Sequence, residues 1–155
     1  MSAAAITCTP IGTVRAPVTE MSQGNWANVE SEIHLLPEYA EGLRGLETFS
    51  HVMVVFYLHQ VEGFKPGSHL LRHPRGMEHL PAVGAFAQRT KYRPNPIGIT
   101  SVALRGITGN VLTVTGLDAL DGTPVLDLKP YIPAFDRVED PRTPSWVSNF
   151  LEGYF

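Results

Sequence analysis

Ile97-Gly98-Ile99-Thr100-Ser101-Val102-Ala103-Leu104-Arg105-Gly106-Ile107-Thr108-Gly109-Asn110-Val111-Leu112-Thr113-Val114-Thr115-Gly116-Leu117 is the stretch on which the fold turns. Ile97 to Ile107 and Val111 to Leu117 are rich in β-branched residues, and Gly109-Asn110 sits between them as a turn pair. That pattern predicts two long antiparallel strands closed by a tight hairpin.

The same reading extends outward. Ser50 to Val61 predicts a strand that is apolar on both faces after His51, as in a central strand covered on both sides. Ile6 to Pro17, Ser31 to Leu36, Gly84 to Arg89 and Pro124 to Ile132 predict further strands. Thr19 to Asn28 reads as a loop, Gly63 to Leu80 as a long excursion, and Asp121-Gly122 as a turn. Pro94 and Pro96 lack backbone donors, so Tyr92 to Pro96 is not a strand interior. Pro37 to Leu46 and Thr143 to Gly153 predict short helices, the second with Thr143 as cap and Pro144 at its first position. Strands joined by turns give an antiparallel sheet. The expected fold is all-β: a small, mostly antiparallel β-barrel-like domain of six or seven strands with two short helices, spanning residues 1–155 as a single domain.

Composition narrows the function classes. The 14 Gly and 13 Pro favour a loop-rich β protein over a helical bundle. The net charge of −3 counts mildly against a free-standing RNA-binding domain, although Arg72, Arg75, Arg89, Lys91 and Arg93 fall in one window and can form a local basic surface. The single cysteine, Cys8, excludes an intramolecular disulfide and fits a reducing cytoplasm. Its extended apolar surroundings suggest a small packed side chain. The first residues lack a basic n-region, so no signal peptide is expected, and the longest apolar run, Val52 to Leu58, is too short to cross a bilayer.

Three segments can carry chemistry. In Arg89-Thr90-Lys91-Tyr92-Arg93-Pro94-Asn95-Pro96-Ile97-Gly98, two prolines stiffen the chain around Asn95, and Gly98 lets a ligand or another backbone approach closely. The segment can equally be a stiff inter-strand turn. In Gly116 to Tyr131, Asp118 stands at a strand end, where a carboxylate can take ribose hydroxyls or an amine. Asp127 and Lys129 share a strand face and can simply pair. The third is Glu47-Thr48-Phe49-Ser50-His51, leading through the apolar strand to His59-Gln60. That polar pair suits a ligand rim, and His59 can also be structural.

Taken in order, these motifs resemble the TrmO/YaeB-like family. The resemblance begins at Ile11-Gly12-Thr13-Val14-Arg15-Ala16-Pro17 and runs through Gly45 to His51, Phe86-Ala87-Gln88-Arg89 and Arg93-Pro94-Asn95-Pro96-Ile97-Gly98. It ends with Leu117-Asp118-Ala119-Leu120-Asp121-Gly122-Thr123-Pro124-Val125-Leu126-Asp127-Leu128-Lys129-Pro130. The resemblance implies a β-barrel-like fold, S-adenosyl-L-methionine as cofactor and a homodimer. It also implies N6-methylation of threonylcarbamoyl-adenosine beside the anticodon of threonine tRNA. By position, the implied cofactor residues are Ser22, Gln23, Gly24, Asn25 and Trp26, then His59, Gln60, Arg89 and Ile99, and finally Thr115, Gly116, Leu117 and Asp118. Arg93, Asn95 and Lys129 are the candidates for holding the acceptor, and Asp118 and Asn95 for orienting its amine. Arg89 can clamp the methionine carboxylate, and Trp26 or Ile99 can pack adenine. Methyl transfer asks the protein mainly to align and desolvate the partners.

Typical tRNA-modifying members carry a further C-terminal domain, and this chain ends at Phe155. Two alternatives therefore stay open: a module that binds S-adenosylmethionine without turnover, and a methyltransferase acting on another RNA or a small molecule. A metal-binding, cupin-like barrel built on His69, His73 and His79 is disfavoured, because no strand presents two histidines two residues apart. No metal and no membrane are expected as partners.

Overall fold

The computed structural model describes residues 2–20 and 24–155. Six strands close a barrel: β1 (Gly12–Arg15), β2 (Glu30–Leu35), β3 (His51–Tyr57), β6 (Ile97–Thr108), β7 (Val111–Thr115) and β8 (Pro124–Pro130). Their order round the wall is β1-β2-β7-β6-β3-β8, every pairing is antiparallel, and β8 returns to β1. The expected hairpin is β6–β7, with Thr108 opposite Val111. A second, two-stranded ribbon joins β4 (Leu71–Arg72) to β5 (Val83–Gly84) inside the excursion.

Alternation fills the barrel. Val52, Val54 and Phe56 of β3 point inward, as do Val14, Ile33, Val102, Leu112, Val114 and Val125 of the other strands, and all are buried. Burying each such side chain contributes about 1.5–3 kcal/mol. Gly98 faces Phe56 across the β3–β6 pair, and a Cβ there would lie 2.5 Å from the Phe56 ring. Its missing side chain thus makes room for the core ring, not for a ligand or another backbone.

Several expectations change. The outer face of β3 is not covered: Met53 and Val55 are half-buried, and Tyr57 is exposed beside Ile97 and Ile99. A closed six-stranded barrel has one apolar interior, so the second apolar face of β3 looks outward. Residues 6–11 do not form a strand, and pairing begins at Gly12. Cys8 is therefore exposed, not packed. Pro37–Leu43 is a 3-10 helix, followed by a second at Leu46–Thr48, with Gly45 in the left-handed region between them. Gly84 to Arg89 is not a strand: after Gly84 the chain turns through a 3-10 helix at Ala85–Ala87. Among the described residues there are three very short α-helices, α1 (Pro66–His69), α2 (Pro133–Asp136) and α3 (Trp146–Phe150). The last begins after Ser145, so Thr143 does not cap it.

Candidate functional site

β6 starts six residues before β7 pairs with it, because Thr115 at the end of β7 lies opposite Ala103. Ile97 to Val102 thus run past the end of β7 and leave one side of β6 without a ladder partner there. At this mouth of the barrel most of the candidate residues gather.

Asp118 follows the end of β7, after Gly116 turns the chain with φ 93°. Its carboxylate is half-buried. Oδ1 accepts a 2.5 Å hydrogen bond from the hydroxyl of Thr100, an inward-facing residue of β6. Oδ2 accepts from the hydroxyl of Tyr154. Burial, followed by the bond to Asp118, raises the Tyr154 pKa well above the ordinary phenol value, so this hydroxyl stays a donor. Arg89 lies on the open side of β6, its Nη2 donating to the carbonyl of Ile99 at 2.9 Å. The guanidinium groups of Arg75 and Arg89 both act electrostatically on the Tyr154 phenol. His59 and Gln60 follow the end of β3 in an exposed turn. Leu58 N–H donates to Pro96 O at 2.8 Å, which places that turn beside the Pro-Asn-Pro segment. The Nε2 of His59 lies against Gly122, where a Cβ would be 3.7 Å away.

Asn25 and Trp26 close the mouth from the β2 side. Asn25 has φ 66°, an uncommon conformation in which Asn is among the better-tolerated residues. Trp26 is buried, and its indole N–H has no acceptor among the described residues. Gly24 packs flat on the C-terminal segment, with a Cβ there only 2.4 Å from Gly153 O. Ser22 and Gln23 lie outside the described residues.

Other candidates are committed elsewhere. Leu117 is fully buried in the core, and Thr115 accepts at Oγ1 from Arg105 at 2.9 Å. Arg93 is half-buried and donates through Nη1 to Ala85 O and Gln88 O, at 3.0 and 2.8 Å. It therefore holds the turn that presents Arg89. Asn95 is exposed just before β6, with its carbonyl accepting from Ile97 N–H at 2.8 Å. Lys129 stands opposite Met53, away from the mouth, and pairs with Asp127 at 2.8 Å. His69 stacks on Tyr92 and His73 bonds Leu80 O, and no group of three or more His, Cys, Asp or Glu among the described residues is arranged to hold a metal. Sequence reasoning missed Thr100 and Tyr154. The one available signal for Thr100 was a polar residue in alternation with Gly98 and Val102 on the inward face of β6.

A cleft of about 290 Å3 opens beside Arg89, with Phe86 on one wall and Trp146 and Phe150 of α3 on the other. The mouth therefore combines a guanidinium, a carboxylate held by two hydroxyl donors and an apolar wall. These suit a zwitterionic ligand with an aromatic part and hydroxyl donors.

Comparison with known proteins agrees. The family model of the tRNA-methyltransferase O N-terminal domain matches residues 17–137. A protein of Methanothermobacter thermautotrophicus named "Probable S-adenosyl-L-methionine-binding protein" is 43% identical over 143 residues, covering 89% of this chain and 98% of that one. The tRNA (adenine(37)-N6)-methyltransferase of Escherichia coli is 36% identical over 143 residues, covering 84% of this chain and 59% of that one. The crystal structure of TrmO from Pseudomonas aeruginosa superposes with a TM-score of 0.71 at 34% identity, covering 90% of this chain and 62% of that one. The chain thus spans less than two thirds of the length of those two tRNA-modifying relatives.

Proposed function

Because the chain belongs to the family of tRNA-methyltransferase O N-terminal domains, we propose that it is an S-adenosyl-L-methionine-dependent methyltransferase acting at N6 of a modified adenosine in tRNA. The observation that carries this reading is the meeting of Arg89 and Asp118 at one barrel mouth, around the Tyr154 hydroxyl. The bound cofactor supplies an electrophilic methyl group. Arg89 pairs with its carboxylate through the N–H groups that Ile99 does not take. Asp118 receives ribose hydroxyl or amine donors. Trp26 itself is too buried to stack adenine from outside, so Ile99 and the apolar cleft wall fit that task better.

A tRNA acceptor is supported by the way charge is segregated. Residues 63–96 hold six of the chain's 12 Lys and Arg (Lys65, Arg72, Arg75, Arg89, Lys91 and Arg93) and one of its 15 Asp and Glu (Glu78). The net charge of −3 therefore hides a basic surface next to the mouth, the kind that phosphates bind. Asn95, exposed at the same end, remains the candidate for orienting the acceptor amine. The apolar outer face of Tyr57, Ile97 and Ile99 supports a homodimer that covers it, and a tRNA acceptor puts the reaction in the cytoplasm.

Incubation with S-adenosylmethionine and threonine tRNA, followed by nucleoside mass spectrometry, tests the reading. A methyl group on the threonylcarbamoyl-adenosine, lost with Asp118→Asn, is the expected result. Tight cofactor binding with no methylated tRNA would instead select a binding module, or an enzyme with a different acceptor.

A further inference from the structure

The C-terminal segment lies beyond the matched residues 17–137, yet it reaches the mouth. After α3 the chain doubles back against the loop that precedes β2. Asn25 N–H donates to Gly153 O at 3.0 Å and Trp26 N–H to Tyr154 O at 3.1 Å. The glycine at position 24 lets this approach happen, as its packing on Gly153 shows. Arg75 lies over the rings of Phe150 and Tyr154, at 4.6 and 5.6 Å, and Phe155 packs edge-on against Tyr154. One residue, Tyr154, is thereby tied by its main chain to the Trp26 loop, by its ring to the basic excursion and by its hydroxyl to Asp118.

We propose that Tyr154 is a positioning residue for Asp118: its hydroxyl on Oδ2, with Thr100 on Oδ1, fixes the carboxylate plane so that the remaining lone pairs face the ligand. The proposal rests on the reading that Asp118 binds S-adenosylmethionine. A carboxylate offers about four acceptor sites, so two protein donors leave room for ligand donors on both oxygens. Thr100 alone would hold one oxygen and let the other swing. With both held, the ligand meets a preorganised acceptor and does not itself have to immobilise it. The opposite role is a plug, in which the Tyr154 hydroxyl stands where a ligand hydroxyl would stand. The two roles differ in sign.

The test is calorimetric titration of the full chain with S-adenosylmethionine, using Tyr154→Phe, Asp118→Ala and the double variant. Phe keeps the ring contacts to Arg75 and Phe155 and removes only the hydroxyl, and circular dichroism with thermal melting checks that each variant folds. Tyr154→Phe is expected to bind about fivefold more weakly, the worth of one hydrogen bond. That loss should vanish in the Asp118→Ala background, because a residue acting through Asp118 then has nothing left to position. Unchanged or tighter binding by Tyr154→Phe overturns the proposal, and so does an equal loss in both backgrounds. Absence of binding by the unaltered protein would instead overturn the cofactor reading on which the proposal stands.

Discussion

The barrel wall and the segments draped over its mouth are held together by different physics. The wall is a closed set of backbone ladders around an interior of Val, Ile, Leu and Phe. The excursion after β3 has two-residue strands and single helical turns. What fixes it is a set of side chains reaching main-chain carbonyls. Gln88 Nε2 donates to both Arg72 O and Val83 O at 3.0 Å, and Arg93 clasps Ala85 O and Gln88 O. The C-terminal segment adds two rings under the single Arg75 guanidinium and two backbone bonds. The barrel thus supplies a rigid rim, while the parts that carry Arg75, Arg89 and Tyr154 hang on a few polar contacts. Such regions open locally at lower free-energy cost than a packed core.

Substitutions separate the two regimes. Ile33→Ala, in the fully buried wall, should destabilise the whole molecule by about 3 kcal/mol and lower Tm by roughly 10 °C in a calorimetric scan. Gly98→Ala pushes a methyl into the Phe56 ring and should cost about 1–3 kcal/mol on the same measurement. Gln88→Ala should cost about 1 kcal/mol and act locally. Hydrogen exchange should speed up for the amides of residues 71–89 while Tm hardly moves. A global loss as large as that of Ile33→Ala would erase the contrast. The smallest effect is one of pH. Because folding raises the Tyr154 pKa, its contribution is complete below the ordinary phenol value of about 10 and is lost as pH rises above it. Ultraviolet titration should show a tyrosine ionisation phase well above the ordinary phenol value, and that phase should be missing in Tyr154→Phe.

The wall was legible where periodicity is long enough to count. β6 and β7 gave a period-two pattern around Gly109-Asn110, and the structure pairs them as that pattern requires. Two-residue strands have no period, so β4 and β5 could not be seen in Leu71-Arg72 and Val83-Gly84. Ala85-Phe86-Ala87 read as strand because its apolar character was visible, whereas the turn imposed by Arg93 and Gln88 was not. The double-sided apolarity of β3 was real, but only one side is interior. At the site, Asp118 was legible as a carboxylate at a strand end, whereas the cofactor role of Arg89 came from the family resemblance. Tyr154 carries no motif and meets Asp118 across 36 positions, so only the folded chain brings the two together.

The most direct test is calorimetric titration with S-adenosylmethionine of the unaltered protein, of Arg89→Ala, and of Arg44→Ala, whose exposed side chain is ion-paired to Glu41 away from the mouth. The account predicts saturable binding, weakened about 10- to 100-fold by Arg89→Ala and unmoved by Arg44→Ala. No binding by the folded protein, or equal affinity with and without the Arg89 guanidinium, would contradict it.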